Sequence, residues 1–269
     1  MESEDQVKHI TMYNKTTTCR CCGDRACFLQ MGELIKLQVS YFECNNCGYV
    51  QTETPYWLDK AYASVINYSD TGILARNQTN ARIVMATLLL IGERAASVID
   101  FAGGYGILVR LLRDFGIQAF WADRYCQNLL ANGFEYKNQK AALITTFEAF
   151  EHFINPAEEL DQLLAIAPNV LISTELMPSP TPKIENWWYY GQNHGQHIGF
   201  FRAKTLRKLA LDRGKYFYTD NHSYHLISSR RFNPMFWKIA IRLNKYATLF
   251  CGKSLTERDH LETIQKNAK

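Results

Sequence analysis

The stretch SVIDFAGGYGILVRLLRDFG, from Ser97 to Gly116, constrains the fold more than any other part of the chain. Val98 and Ile99 read as a short buried strand, Asp100 stands at its C-terminal end, and Gly103, Gly104 and Gly106 follow in a tight turn. Beyond the turn Ile107, Leu108, Leu111, Leu112 and Phe115 recur at helical spacing, and Gly116 is a stop signal. Strand, glycine turn and helix make the first half of a nucleotide-binding βαβ unit. Such a unit needs a largely parallel sheet with helices on both faces.

The turn also discriminates between nucleotides. A dinucleotide fingerprint places a third glycine or alanine three positions after the second. Counted from Gly104 and Gly106, that position is Val109. Asp100 before the turn would repel a pyrophosphate, but it suits a cofactor with a cationic amino group, as S-adenosylmethionine has. A second strand over Gln118–Ala122 ends at Asp123, whose carboxylate can accept both ribose hydroxyls. Asp100, Phe101, Ala102, Gly103, Gly104, Gly106, Asp123 and Arg124 are therefore the candidate cofactor-binding residues. An ordinary α/β turn followed by a solvated aspartate would give the same pattern.

Ahead of this region Cys19/Cys22 and Cys44/Cys47 form two Cys-x-x-Cys pairs, each followed directly by glycine (Gly23, Gly48). Two thiolates three positions apart on a tight turn can face one ion, and two such turns joined by a hairpin complete a Cys₄ zinc site. Ile35, Leu37, Val39 and Tyr41 alternate with polar residues over Glu33–Glu43, which suits that hairpin. Four thiolates leave no open position on the metal, so Zn²⁺ here is expected to be structural. Incidental buried cysteines or a redox pair are the competing reading. Cys21 and Cys27 lie outside the paired pattern.

The segment VIDFAGGYG resembles motif I of the class I S-adenosylmethionine-dependent methyltransferases, with Ala102 in place of the first glycine and Gly103 added. LITTFEAFEHFINPAEELDQLL resembles the strand-four region of the same superfamily. That resemblance adds Phe147 and Glu148 to the cofactor candidates, and Asn155 and Pro156 suit the start of the following helix. The cysteine module, the central domain and Gly195-Gln-His-Ile-Gly-Phe-Phe201 together resemble the zinc-containing C-methyltransferases of nucleotide-linked deoxysugars and their relatives in surface-polysaccharide pathways. The resemblance implies an α/β Rossmann-like catalytic domain, S-adenosylmethionine and Zn²⁺ as cofactors, and a sugar, nucleotide-sugar or glycan acceptor.

Asn169–Leu176 reads as a further strand, followed by the aromatic loop MPSPTPKIENWWYYGQNHGQHIGFF, and Thr205 opens an amphipathic helix. Methyl transfer requires a base near the acceptor. His197 is the first candidate, with His194 and His152 beside it; a hydrogen-bonded loop histidine is the plainer reading of each. The resemblance implies that Gln196 and His197 correspond to a catalytic Glu-His pair. Glutamine cannot act as a carboxylate base, so O-methylation gains over carbon-acid chemistry. Glu148, Glu151 and His152 also resemble the divalent-ion cluster of some quinone O-methyltransferases, although a helix-start turn with solvated charges is the reading the sequence favours.

Composition narrows the partners. Apolar residues make up 47% of the chain, which is that of a folded protein, and the net charge of +4 comes from scattered basic residues without the stripe of a dedicated nucleic-acid binder. The polar, acidic N-terminus MESEDQVKHITMYNK is unlike a secretory signal. Ile83–Ile91 falls well short of the roughly 20 apolar residues that span a bilayer. A soluble, cytoplasmic protein is expected. Tyr224–Ile227 is expected to close the sheet, and a basic amphipathic helix beyond Asn233 either packs on the domain or touches a membrane surface. The expected organisation is a zinc-ribbon-like module (1–55), a helical connector (56–95), the Rossmann-like domain (96–232) and a helical tail (233–269). An RNA-modifying methyltransferase and a non-enzymatic zinc-ribbon scaffold are the alternative functions.

Overall fold

The computed structural model describes residues 15–62 and 70–267. The acidic N-terminal segment discussed above, apart from Lys15, lies outside the described residues. Two sheets organise the chain. The first carries β1 (Thr16–Thr18), β2 (Arg25–Leu34), β3 (Leu37–Cys44), β4 (Val50–Thr52) and β9 (Gly199–Phe200), paired in that order. The second has the order β10 (Tyr216–Thr219), β11 (Tyr224–Ser228), β8 (Asn169–Ser173), β7 (Leu143–Phe147), β5 (Val98–Phe101) and β6 (Ala119–Ala122). Its four strands β6, β5, β7 and β8 are parallel, β11 runs antiparallel to β8, and β10, antiparallel to β11, runs in the same direction as the four.

The apolar runs of the central strands are continuous because both faces are covered. Ile99, Ile144, Val170 and Ile172 point to one side, where α4 (Pro156–Ile166) contributes Leu160 and Leu163 and α5 (Ala203–Leu211) contributes Leu206 and Leu209. Their neighbours Val98, Leu143 and Leu171 point to the other. There they meet Ile83, Val84 and Leu88 of α2 (Ile73–Ile91), Leu108 and Leu112 of α3 (Ile107–Asp114), and Trp237 of α6 (Pro234–Arg242). This period-two division of a strand between two cores makes the doubly wound α/β architecture expected from the sequence. A last helix, α7 (Thr256–Asn267), is locked to α3 by Asp259, whose carboxylate accepts from Arg113 Nε and Nη2 at 2.6 Å each.

β6 and β7 flank β5 on opposite sides, so the chain reverses its winding there. Ligands of open α/β sheets bind outside the strand ends at such a reversal. The C-terminal ends of β5 and β7 lead into Asp100–Gly106 and Phe147–His152 respectively.

Local outcomes differ from the sequence reading in four places. The alternating segment Glu33–Glu43 is broken at Ile35 and Lys36, both at positive φ (45° and 67°), which form the turn between β2 and β3. No glycine or asparagine signals that turn; the Gln192 carbonyl, accepting from Ile35 N–H at 2.8 Å, fixes it from a distant loop. β8 ends at Ser173 rather than Leu176. α5 starts at Ala203 because Arg202 is its N-cap, with the Thr205 hydroxyl accepting from Arg202 N–H. β11 is not the sheet edge: the Tyr216–Thr219 strand pairs outside it.

The first sheet is joined to the second region by β9, since Val50 pairs with Phe200 and Gln51 with Gly199. The loop carrying the candidate histidines is therefore built into the cysteine module. Among the described residues, no helix is long and apolar enough to cross a membrane.

Candidate active site and cysteine centre

A cavity of about 450 Å³ opens at the ends of β5, β6 and β7. All ten cofactor candidates except Gly106 line it: Asp100, Phe101, Ala102, Gly103, Gly104, Asp123, Arg124, Phe147 and Glu148. Gly106, just behind, adopts φ +86°, and a Cβ there would lie 2.9 Å from the Ala131 Cβ, so this turn cannot close over a larger residue. At Gly104 (φ +53°) a Cβ would meet nothing within 4 Å; the backbone is open to the cavity and a ligand can approach it closely. Trp121 Nε1 donates to the Gly104 carbonyl at 2.8 Å and braces the turn from β6.

Ala102 and Glu148 both hold left-handed backbone conformations (φ 64° and 50°). Each such non-glycine residue costs on the order of 1–2 kcal/mol. They sit at the ends of the two adjacent strands β5 and β7, one on each side of the cavity floor. Ser173 holds Glu148 in place, donating from Oγ to Oε1 at 2.7 Å.

The two aspartates are in contrasting settings. Asp100 is buried and accepts from the Thr145 hydroxyl at 2.8 Å. Burial, aided by the charge of Asp123, pushes its pKa up to about 7. Asp123 instead accepts from three backbone N–H groups: Gly104 at 2.9 Å on Oδ2, and Tyr125 and Cys126 at 2.8 Å on Oδ1. A carboxylate has roughly four acceptor directions. One thus stays open toward the cavity, where the sequence reading had two ribose hydroxyls to satisfy. Arg124 is largely exposed and lies 3.7 Å from Glu159.

The cavity is also lined by Leu58 in α1 (Leu58–Ala61), Tyr62, the first turns of α2 and His152. His152 Nδ1 and the Tyr62 hydroxyl are 2.9 Å apart, and Tyr62 stacks on Tyr125 with centroids 4.8 Å apart. His152 is the candidate histidine that lines the cavity; His197 and His194 stand behind it. Ring centroids are 5.0 Å apart for His152 and His197, and 4.7 Å for His197 and His194. Burial pushes the His152 pKa down to about 3 and that of His197 well below its ordinary value; His194 is lowered by the same cause. All three are neutral imidazoles at physiological pH. His197 Nδ1 faces the Tyr189 carbonyl at 2.6 Å, so it carries the proton and donates, leaving Nε2 as the acceptor.

Gln196 has a positional role. Its side-chain amide donates to the Ala61 carbonyl at 2.9 Å, next to Tyr62. A glutamate could not make that bond, because an ionised carboxylate has no donor. The carboxylate nearest the histidines is instead Glu151, fully buried, which accepts from the Tyr189 hydroxyl at 2.7 Å and lies 4.0 Å from His152 Nε2. Burial, reinforced by Glu148, raises its pKa to about 8. Its Oε2 has no partner among the described residues. Ligand atoms of Glu151, His152 and His197 lie within 4.8 Å of one another, close enough to face one ion. The helix-start turn with solvated charges is thus not what forms here. Asn155 and Pro156 do open α4, although the Asn155 side chain donates to Glu158 instead of capping the helix.

Tyr62, Arg76, Asn77 and Asn80 are lining residues that the sequence reading passed over. For α2 the signal was weak: Arg76, Asn77 and Asn80 recur at helical spacing, but Gln78, Thr79 and Arg82 make that half of the helix polar on every side. For Tyr62 there was none.

In the cysteine centre the Sγ atoms of Cys19 and Cys47 are 3.6 Å apart, as are those of Cys22 and Cys44, and all four lie within 4.8 Å of one another. A tetrahedral ion with Zn–S bonds of about 2.3 Å sets its sulfurs about 3.8 Å apart. The set fits. Gly23 N–H donates to the Cys19 carbonyl and Gly48 N–H to the Cys44 carbonyl, both at 2.9 Å, so the two halves form the same knuckle. The centre touches the rest of the chain: the Thr205 hydroxyl donates to the Cys47 carbonyl at 2.8 Å, and an Arg20 Nη2 donates to the Ile198 carbonyl at 2.6 Å.

A family model described as a methyltransferase domain matches residues 74–215, more than half of the chain. No curated protein matches the sequence. Solved structures similar to this chain include CalO1, a methyltransferase of calicheamicin biosynthesis in its SAH-bound form (15% identity over 55% of this chain and 54% of that one, TM-score 0.38). Magnesium protoporphyrin IX methyltransferase from Synechocystis PCC 6803 with bound SAH is another (13%, 64% of this chain and 94% of that one, 0.41). A third is the plantazolicin methyltransferase BpumL with a monoazolic desmethylPZN analog and SAH (14%, 70% and 86%, 0.45). The chain spans about half the length of the first of these.

Proposed function

The chain belongs to the methyltransferase-domain family, and from that premise we propose that it uses S-adenosylmethionine to O-methylate a sugar, nucleotide-sugar or glycan acceptor. One observation carries this reading. The glycine turn with Asp100 and Asp123, and Tyr62 with His152, line one and the same cavity. At about 450 Å³ it lies within the size range of small-molecule sites.

S-adenosylmethionine, when bound, supplies a methyl carbon whose bond to sulfur breaks as the acceptor oxygen bonds to it. Asp100 receives the cationic amino group, and the open acceptor direction of Asp123 receives a ribose hydroxyl. His152, neutral and lining the cavity with Tyr62 on its Nδ1, takes the acceptor proton as the oxygen–carbon bond forms and, its pKa being held down by burial, passes that proton on to solvent. His197 stands one ring behind, kept in a single tautomer by the Tyr189 carbonyl, and supports the imidazolium as it forms. Cys19, Cys22, Cys44 and Cys47 hold a structural Zn²⁺. The sugar class rests on the sequence resemblance together with three tyrosines, Tyr62, Tyr105 and Tyr125, that line the cavity.

The test is turnover of labelled S-adenosylmethionine with a panel of nucleotide sugars, against RNA and a quinol. Methyl transfer to a sugar hydroxyl, lost in His152→Ala, is the expected result. Transfer to RNA, or transfer that survives His152→Ala unchanged, overturns it.

A further inference from the structure

From Asn221 to Thr256 the chain contains no Asp or Glu and six basic residues, Arg230, Arg231, Lys238, Arg242, Lys245 and Lys253. α6 and the 3₁₀ segment Asn244–Phe250 that continues it lie within this run. Trp237 and Ala247 are buried in the core beside α2 and fix the element to the body. Its outer side carries Met235, Phe236, Ile239, Leu243, Tyr246 and Leu249, exposed by 45% to 78%. Single exposed apolar residues are ordinary, but a contiguous set marks a contact surface.

The arrangement selects the partner. Met235, Ile239 and Leu243 recur every four residues and form one row. Lys238 and Arg242 form the adjacent row, extended by Lys245, and all three are exposed and make no ion pair among the described residues. An apolar protein surface would cover the first row and leave the second unmatched. An acidic bilayer satisfies both, taking the apolar row into the headgroup boundary and the basic row onto its phosphates. We infer that α6 and the segment after it dock in the plane of an anionic lipid surface. This stands apart from methyl transfer, since none of these residues lines the cavity.

Vesicle flotation of the full chain tests it, with phosphatidylcholine alone and mixed with phosphatidylglycerol, and thermal unfolding as the folding control. The protein is expected to float with the mixed vesicles only, and less as salt is raised. Lys238→Gln, Arg242→Gln and Lys245→Gln together should lower partitioning on the order of a hundredfold, each basic side chain near the surface being worth about a factor of five. Ile239→Ser with Leu243→Ser should abolish flotation without lowering cooperative unfolding. Failure of folded wild type to float, or flotation indifferent to lipid charge, overturns the inference. A dimer in sedimentation velocity that the two serines split, with no flotation, assigns the face to a second copy instead.

Discussion

At the glycine-turn end of the cavity the holding contacts are short in sequence. Asp123 reaches Gly104 across 19 positions, and Trp121 reaches the same residue across 17. At the histidine end they are long. Gln196 reaches Ala61 across 135 positions, Trp57 Nε1 reaches the Gly195 carbonyl across 138, and Arg20 reaches Ile198 across 178. The first end is one supersecondary unit with local partners. The second exists only after the cysteine module has paired β4 with β9 and clasped the loop before α5. The glycine-turn end is held from within the Rossmann-like sheet, whereas the histidine end is held by a second centre many residues away.

The sharpest way to break that contrast is at the cysteines. Cys44→Ser should release zinc and abolish methyl transfer, since the ion's binding energy is folding energy for such a module. S-adenosylmethionine affinity should fall by no more than about tenfold, because the glycine turn's hydrogen bonds run to Asp123 and Trp121 and not to the knuckles. Zinc content, turnover and calorimetry on one preparation check this, and equal loss of both functions would erase the distinction. His152→Ala should lower kcat by about 10²–10⁴ with cofactor affinity nearly unchanged. His197→Ala, one ring further back, should cost less, and the kcat ratio of the two variants locates the base.

At the other end, Asp123→Ala should weaken S-adenosylmethionine roughly 10–100-fold while leaving zinc intact, because it removes a charged acceptor and frees three N–H groups. Asp100 gives a pH signature. Its carboxyl is raised to about 7, and a cationic amino group needs it ionised, so binding releases a proton below that pH. Affinity should therefore rise with pH, by close to tenfold per unit well below about 7, and level off above it. Asp100→Asn should bind weakly with no such slope. The smallest effect is at Ala102: glycine there relieves the left-handed backbone and should raise stability by about 0.5–1 kcal/mol, read as a rise in Tm.

The same contrast explains what could be read from the sequence. The strand, turn and helix of Val98–Asp114 were legible because side-chain period and glycines act within a few residues, and the paired cysteines because spacing alone sets their reach. Tyr62 and the reversal of β11 were not, since each depends on which distant segment lies alongside. Glu151 illustrates the limit well. Beside His152 it looks like a solvated helix-start charge, yet Tyr189, brought in from 38 positions away, accompanies its complete burial. His197 reads as the first candidate base, but with the loop folded back it is His152 that lines the cavity.

The most direct measurement is calorimetric titration of zinc-loaded wild type with S-adenosylmethionine and, separately, NAD⁺. The account predicts saturable binding of S-adenosylmethionine at one site per chain, with proton release below about pH 7 that disappears in Asp100→Asn, and no binding of NAD⁺. Folded, zinc-loaded protein that ignores S-adenosylmethionine, or binds NAD⁺ in its place, would contradict it.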